Sequence, residues 1–190
     1  MVMIIAGLLT LFLIVLIPIY WKTYGVQNFL WFSDVGLFMT VAALWLQSPL
    51  LISIVALAIL PVELLWNVDF FVQLVSSRNL VGLSGYMFDS KYPLFLRGLS
   101  LFHCVLPVII VTCLAQWGYT STALPYSILL VCSVLGLTYF FTNPDDNINL
   151  VFAPRYFGWQ RMPAFAWLLI LILIQVVVIL IMHVVLKTVV

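Results

Sequence analysis

The sequence predicts an all-α protein, a polytopic membrane helix bundle of about six transmembrane helices in a single domain covering residues 1–190. Two compositional observations carry that prediction. Hydrophobic residues make up 66% of the chain and charged residues 7%, whereas about a quarter of the residues in a soluble domain are charged. Mean hydropathy is +1.27. The third observation is spacing: six apolar segments approach the roughly 20 residues that cross a hydrocarbon core of about 30 Å. A formal charge of +1 leaves no basic field and no acidic tail, so nucleic acid is excluded as a partner and the lipid bilayer is the expected one.

The first segment, residues 2–20, lacks the basic start and small-residue cleavage site of a signal peptide and is long enough to span, so it is expected to be an uncleaved first helix. The second and third, residues 29–47 and 50–65, are separated only by Ser48 and Pro49, which suits a tight antiparallel hairpin because proline stops the preceding residue from continuing a helix. The third either ends near Leu65 or runs on toward Leu74. The fourth and fifth, residues 99–116 and 123–141, are joined through 117–122, and the sixth covers 163–186. Cys104, Cys113 and Cys132 sit inside apolar runs without a CxxC, and they read as small core residues.

The remaining connections, 21–28, 67–98 and 142–162, are longer and contain aromatic, polar, Gly and Pro residues. Short and long loops alternate, which puts every long loop on one side of the bundle. Lys22, Arg78, Lys91, Arg97, Arg155 and Arg161 belong to that side and only Lys187 to the other. The excess of Lys and Arg in cytoplasmic loops then makes the long-loop side cytoplasmic and turns both termini outward. Asp34, Glu63, Asp69, Asp89, Asp145 and Asp146 follow the bases to the same face.

An ionised group at membrane depth costs on the order of 3 kcal/mol on insertion scales, so such residues face the bundle interior, pair, or line water. Asp34 sits about 7 to 8 Å into the second segment at 1.5 Å per residue, seven residues from Gln27 and on the same face. It either belongs to a polar site or pairs with Arg97. Glu63 and Asn67 are four apart on one face. If the third helix continues to Leu74, Glu63 occupies the low-dielectric position that suits a proton carrier or general acid; if it stops near Leu65, Glu63 is interfacial. Ser100, His103 and Pro107 share another face. Pro107 has no N–H for the carbonyl of His103, which needs another donor or a water, and His103 itself can ligate a metal, move protons or simply hydrogen-bond a neighbour.

Residues 143–149, Asn-Pro-Asp-Asp-Asn-Ile-Asn, form the most polar run. Such residues build turns, and Asp145 and Asp146 are also hard-oxygen ligands suited to a divalent cation that grips a lipid phosphate. Gly82 to Asp89 has the glycine and aromatic content of an ordered interfacial segment. His183 and Lys187 mark the end of the last helix. The chain contains no GxSxG, HExxH, Walker loop or Rossmann glycine pattern.

The blocks Tyr24 to Asp34, Gly85 to Asp89, Leu96 to His103 and Asn147 to Phe152 resemble a group of uncharacterised bacterial integral membrane proteins. That resemblance covers most of the chain and implies a multi-helix fold in a bacterial inner membrane, with no activity to carry over. A fainter likeness is to the CREST superfamily of membrane hydrolases, whose early helix bears an Asn and a Ser as Asn28 and Ser33 do here. That family implies a zinc site of three histidines, two of them in a late HxxxH. This chain has two histidines in all, so the zinc site cannot be assembled.

The combined expectation is a polar, charge-paired cavity open to the long-loop face. One reading is an enzyme on a lipid or lipid-linked substrate, with Asp34 or Glu63 as general base and His103 as acid or ligand. Arg97, Asn28 and Ser33 would bind substrate, and Asp145 and Asp146 a divalent metal. The alternative is a transporter or a structural subunit that meets a membrane-protein partner, in which the same groups form a proton or substrate path.

Overall fold

A computed structural model describes residues 2–152 and 162–189. They form eight α-helices and three short 3-10 turns, with no strand among the described residues. Arg155 and Arg161, used above to orient the chain, lie outside the described residues, as does Trp159.

Helix α1, Val2–Tyr24, runs through Pro18 and past residue 20, ending with Lys22 in its last turn, where a cation complements the negative end of the helix dipole. The chain then turns at Gly25, whose φ of 83° is in the left-handed region. A Cβ there would also lie 2.4 Å from the Gln27 side chain, so glycine is required. A 3-10 turn, Val26–Leu30, leads to α2, Phe32–Leu46. The expected helix over 29–47 therefore starts three residues late. Its 15 residues cover about 22 Å, too short by itself for a hydrocarbon core of about 30 Å.

The hairpin forms as expected. Gln47 ends α2 in the left-handed conformation, Ser48 caps α3 by accepting the Leu51 N–H, and Pro49 occupies the first turn of α3, Pro49–Ala58. Residues Ile52 to Ala58 are all buried, because α3 is apolar all round and sits at the centre, against α2, α6, α7 and α8. The third predicted helix does continue, as α4, Leu60–Ser76, but with a 51° bend. Pro61 lies just past the bend and cannot donate to the carbonyl of Leu57, which removes the bond that would have kept the helix straight. The expected fourth helix begins earlier and in two pieces, α5, Leu94–Leu99, and α6, Phe102–Trp117, joined through tight bonds such as Leu101 N–H to Gly98 C=O at 3.1 Å. Helices α7, Ala123–Phe141, and α8, Ala164–Val189, lie close to their predicted positions.

Among the described residues, four spans are long and apolar enough to cross a membrane: α1, α5 with α6, α7 and α8. The bent α3–α4 pair makes a fifth. In α1 and α8 only 17% of the most apolar window is buried. Side chains such as Leu8, Leu11, Leu173 and Ile181 face outward over half exposed, an area of apolar surface that water would not tolerate and lipid does. The protein is a membrane helix bundle.

Candidate functional site

Two helices begin inside the bundle, and each places a carboxylate in its first turn. Asp34 lies in the first turn of α2 and Glu63 in the first turn of α4, where the free N–H groups and the positive end of the helix dipole favour negative charge. The two starts are packed together. A Cβ on Gly36 would come within 2.5 Å of Cγ2 of Ile59, so glycine in α2 lets it close onto the bend between α3 and α4. Asp34 and Glu63 are 3% and 1% exposed, and each carboxylate is within electrostatic reach of the other.

His103 joins them from α6. Its Nδ1 is 2.9 Å from Oε2 of Glu63. The imidazole is held between two aromatic faces, Trp66 and Phe102, each with its centroid 4.3 Å away and tilted by 14° and 21°. A carboxylate that orients one ring nitrogen while aromatic faces hold the ring is the support a general base requires, and both features also stabilise an imidazolium. The carbonyl of His103, freed by Pro107, finds its donor in Asn67, whose Nδ2 donates to it at 2.7 Å and to the carbonyl of Glu63 at 2.8 Å. One amide thus ties the backbone behind the histidine to the backbone of its carboxylate partner.

Above this group lie hydroxyls. The Tyr20 and Ser100 hydroxyls are 2.8 Å apart, and Tyr86 comes from loop three to within electrostatic reach of Tyr20. Burial pushes the Tyr86 phenol above its usual range, so it stays protonated and can donate. Loop three is folded down by Asp69. Its Oδ1 accepts the N–H groups of Val81 at 2.7 Å and Gly82 at 3.2 Å, and its Oδ2 accepts the N–H and hydroxyl of Ser84, both at 2.8 Å.

The predicted residues divide. Asp34, Glu63 and His103 are brought together, and Asn28 joins them by donating to Oδ2 of Asp34 at 3.4 Å. Arg97 does not pair with Asp34; its Nη1 donates to the carbonyl of Met87 at 2.9 Å, fastening loop three. Ser33 is half-buried beside Asp34 in sequence, without a side-chain hydrogen bond among the described residues. Asp145 and Asp146 are exposed in the turn after α7. Among the described residues no three His, Cys, Asp or Glu side chains assemble to hold a metal ion, so the polar run does not complete a site with Asp34 and His103.

The polar run instead builds structure. Oδ1 of Asn149 accepts the Phe32 N–H at 3.0 Å, satisfying the buried start of α2, while its Nδ2 donates to the carbonyl of Leu30 at 2.7 Å and to Thr138 at 3.3 Å. Asn147 accepts the N–H of Phe152 at 2.8 Å. On the opposite face His183 hydrogen-bonds Tyr119, which joins the end of α8 to the α6–α7 turn. The roles of Asp69, Asn149 and Tyr86 escape sequence reasoning because each depends on a contact far along the chain. The role of Asn67 had a signal in the unpaired carbonyl that Pro107 implies.

The sequence matches no family model, no curated protein and no solved structure. The class of protein that fold and site define is thus a multi-pass membrane protein with a buried carboxylate–imidazole centre.

Proposed function

We propose that this protein is a membrane enzyme acting by general acid–base catalysis on a lipid or lipid-linked substrate, in the inner membrane of a bacterium with its long loops cytoplasmic. The single observation that supports this most is the Glu63–His103 hydrogen bond of 2.9 Å beside a second buried carboxylate, Asp34. Glu63 orients His103 through Nδ1, leaving Nε2 to take a proton from the substrate, and Asp34 returns one. The centre lies toward one face only. Hydroxyls deeper in the bundle are engaged between elements: Ser53 accepts the N–H of Thr120 at 2.9 Å and Ser127 donates to the carbonyl of Ile54 at 3.4 Å. They bind helices together and are not spaced as a path, which favours one-sided chemistry over transport.

The test is a lipidome of a strain lacking the protein, complemented by variants that keep the fold. Glu63→Gln and Asp34→Asn should reproduce the lipid change of the deletion, with turnover reduced by about 100-fold or more, as loss of a positioned acid or base implies. A deletion strain with an unaltered lipidome would refute the reading, as would full complementation by Glu63→Gln.

A further inference from the structure

Loop three, residues 77–93, does not stand off the bundle. It joins the end of α4 to the start of α5, so both of its ends lie at the long-loop face. Between them it doubles back. The N–H groups of Val81, Gly82 and Ser84 and the Ser84 hydroxyl all donate to Asp69, which lies about 10 Å back along α4 from Ser76 at 1.5 Å per residue. Two more contacts hold the loop there. Arg97 Nη1 donates to the carbonyl of Met87 at 2.9 Å, and the Phe88 ring lies against Phe70 of α4, centroid to centroid 5.6 Å.

The depth of the loop follows from helix length. The bent α3–α4 pair starts at the short-loop hairpin and is about 40 Å along its axis, longer than a hydrocarbon core of about 30 Å. The last turns of α4 therefore reach the headgroups, Asp69 lies near the edge of the hydrocarbon, and a loop tied to Asp69 lies at that same level. Irregular backbone survives at such a depth only when protein satisfies its polar groups, which is what the four bonds to Asp69 do.

The surface that the tethered loop turns outward is apolar. Leu80, Val81 and Phe88, with Leu94 and Phe95 at the start of α5, are 38% to 78% exposed. Their backbone is fastened to α4 and α5, so they cannot retreat into the bundle. Arg78 and Lys91, near the two ends of the loop, are exposed, and neither forms an ion pair among the described residues. The neighbouring acids are turned to the protein: Asp69 takes four donors, and Asp89 accepts the Lys91 N–H at 2.9 Å. Exposed apolar side chains rimmed by unpaired cations are the composition of a segment that lies in the membrane interface.

We propose that loop three and the start of α5 form a docking surface for phospholipid of the long-loop leaflet, selective for headgroups of net negative charge. Leu80, Val81 and Phe88 lie among the upper acyl chains, and Arg78 and Lys91 take the phosphates at the rim. The surface requires neither the acid–base chemistry nor a substrate, so its failure leaves the enzymatic reading standing, and an unaltered lipidome leaves this one standing.

The test uses the full chain with Cys104→Ala, Cys113→Ala and Cys132→Ala, labelled with bimane at Leu80→Cys and placed in phosphatidylcholine vesicles. A rising fraction of the lipid is replaced by phosphatidylcholine or phosphatidylglycerol carrying a doxyl quencher near the top of one acyl chain, and iodide serves as the aqueous quencher. Quenching by the doxyl lipids with protection from iodide is expected, and half-quenching should need about 25-fold less phosphatidylglycerol than phosphatidylcholine. Arg78→Gln and Lys91→Gln, both on exposed side chains, should each reduce that preference about fivefold, which corresponds to about 1 kcal/mol per cation. Quenching by iodide and by neither lipid would place the loop in water and overturn the proposal. Protection from iodide and from both lipids would assign the surface to a protein partner or a second copy, which also overturns it. So would equal quenching by the two lipids, or a preference that survives both substitutions.

Discussion

Asn67 and Pro107 should be energetically coupled although they lie on different helices. In the native protein Nδ2 of Asn67 donates to the carbonyls of Glu63 and His103 at 2.8 and 2.7 Å. These two bonds are unequal in worth. The carbonyl of Glu63 is inside α4 and keeps its ordinary helical partner, so losing the extra bond costs little. The carbonyl of His103 has no other donor among the described residues, since residue 107 is proline, and leaving it unsatisfied in a buried position costs about 1–3 kcal/mol. Asn67→Ala should therefore destabilise the protein by roughly 2 kcal/mol. In a Pro107→Ala background the N–H of residue 107 reaches back to His103 as in any helix, and the same Asn67→Ala change should cost under about 1 kcal/mol. The coupling energy is then roughly 1–2 kcal/mol, within the range seen for residues that share one hydrogen-bond network. Wild type, both single variants and the double variant, unfolded by SDS titration in mixed micelles, supply the cycle. An equal cost of Asn67→Ala in the two backgrounds would refute the assignment of Asn67 as the donor that Pro107 makes necessary.

Two further predictions concern the frame of the site. Asp69→Asn keeps one acceptor oxygen but turns an NH2 toward the donors of loop three, from which the native Asp69 carboxylate accepts four bonds given by Val81, Gly82 and Ser84; a loss of about 2–4 kcal/mol of local stability follows, and limited proteolysis within residues 77–93 should accelerate while the helices stay protected. Cleavage at the native rate would contradict the role of Asp69. Gly36→Ala puts a Cβ at 2.5 Å from Cγ2 of Ile59, an overpacking that costs about 1–3 kcal/mol. Adding Ile59→Ala removes that methyl, so Gly36→Ala should cost less in the Ile59→Ala background than alone, and identical costs would show that the two starts are not packed as described.

Sequence reasoning reached the fold through periodicity and composition, and it erred where proline or a distant partner intervened. Segment 29–47 was apolar enough to read as one helix, yet Gly25 and the side chain of Asn149, 117 residues from Phe32 in sequence, make it start at Phe32. Glu63 was ambiguous because nothing local says whether a helix continues past Pro61. It does so at an angle, with the acid in the new first turn. Asp34, Glu63 and His103 were recognisable one by one, since ionisable residues in apolar segments are costly and stand out. Arg97 does not meet Asp34 because its partner is the backbone carbonyl of Met87, which no side-chain pattern reveals.

The amino-acid sequence by itself determined that this chain is a helical membrane protein and that His103 would lack its helical donor for its carbonyl. These follow from burial cost and local backbone geometry, which act within a few residues. Only the tertiary structure decided which carboxylate meets the imidazole, that Asp69 and Arg97 fasten loop three, and that Asn149 starts a helix on the other side of the chain. Those outcomes depend on which buried polar groups find each other when the helices pack, and a hydrogen bond between residues a hundred positions apart leaves no trace in either neighbourhood.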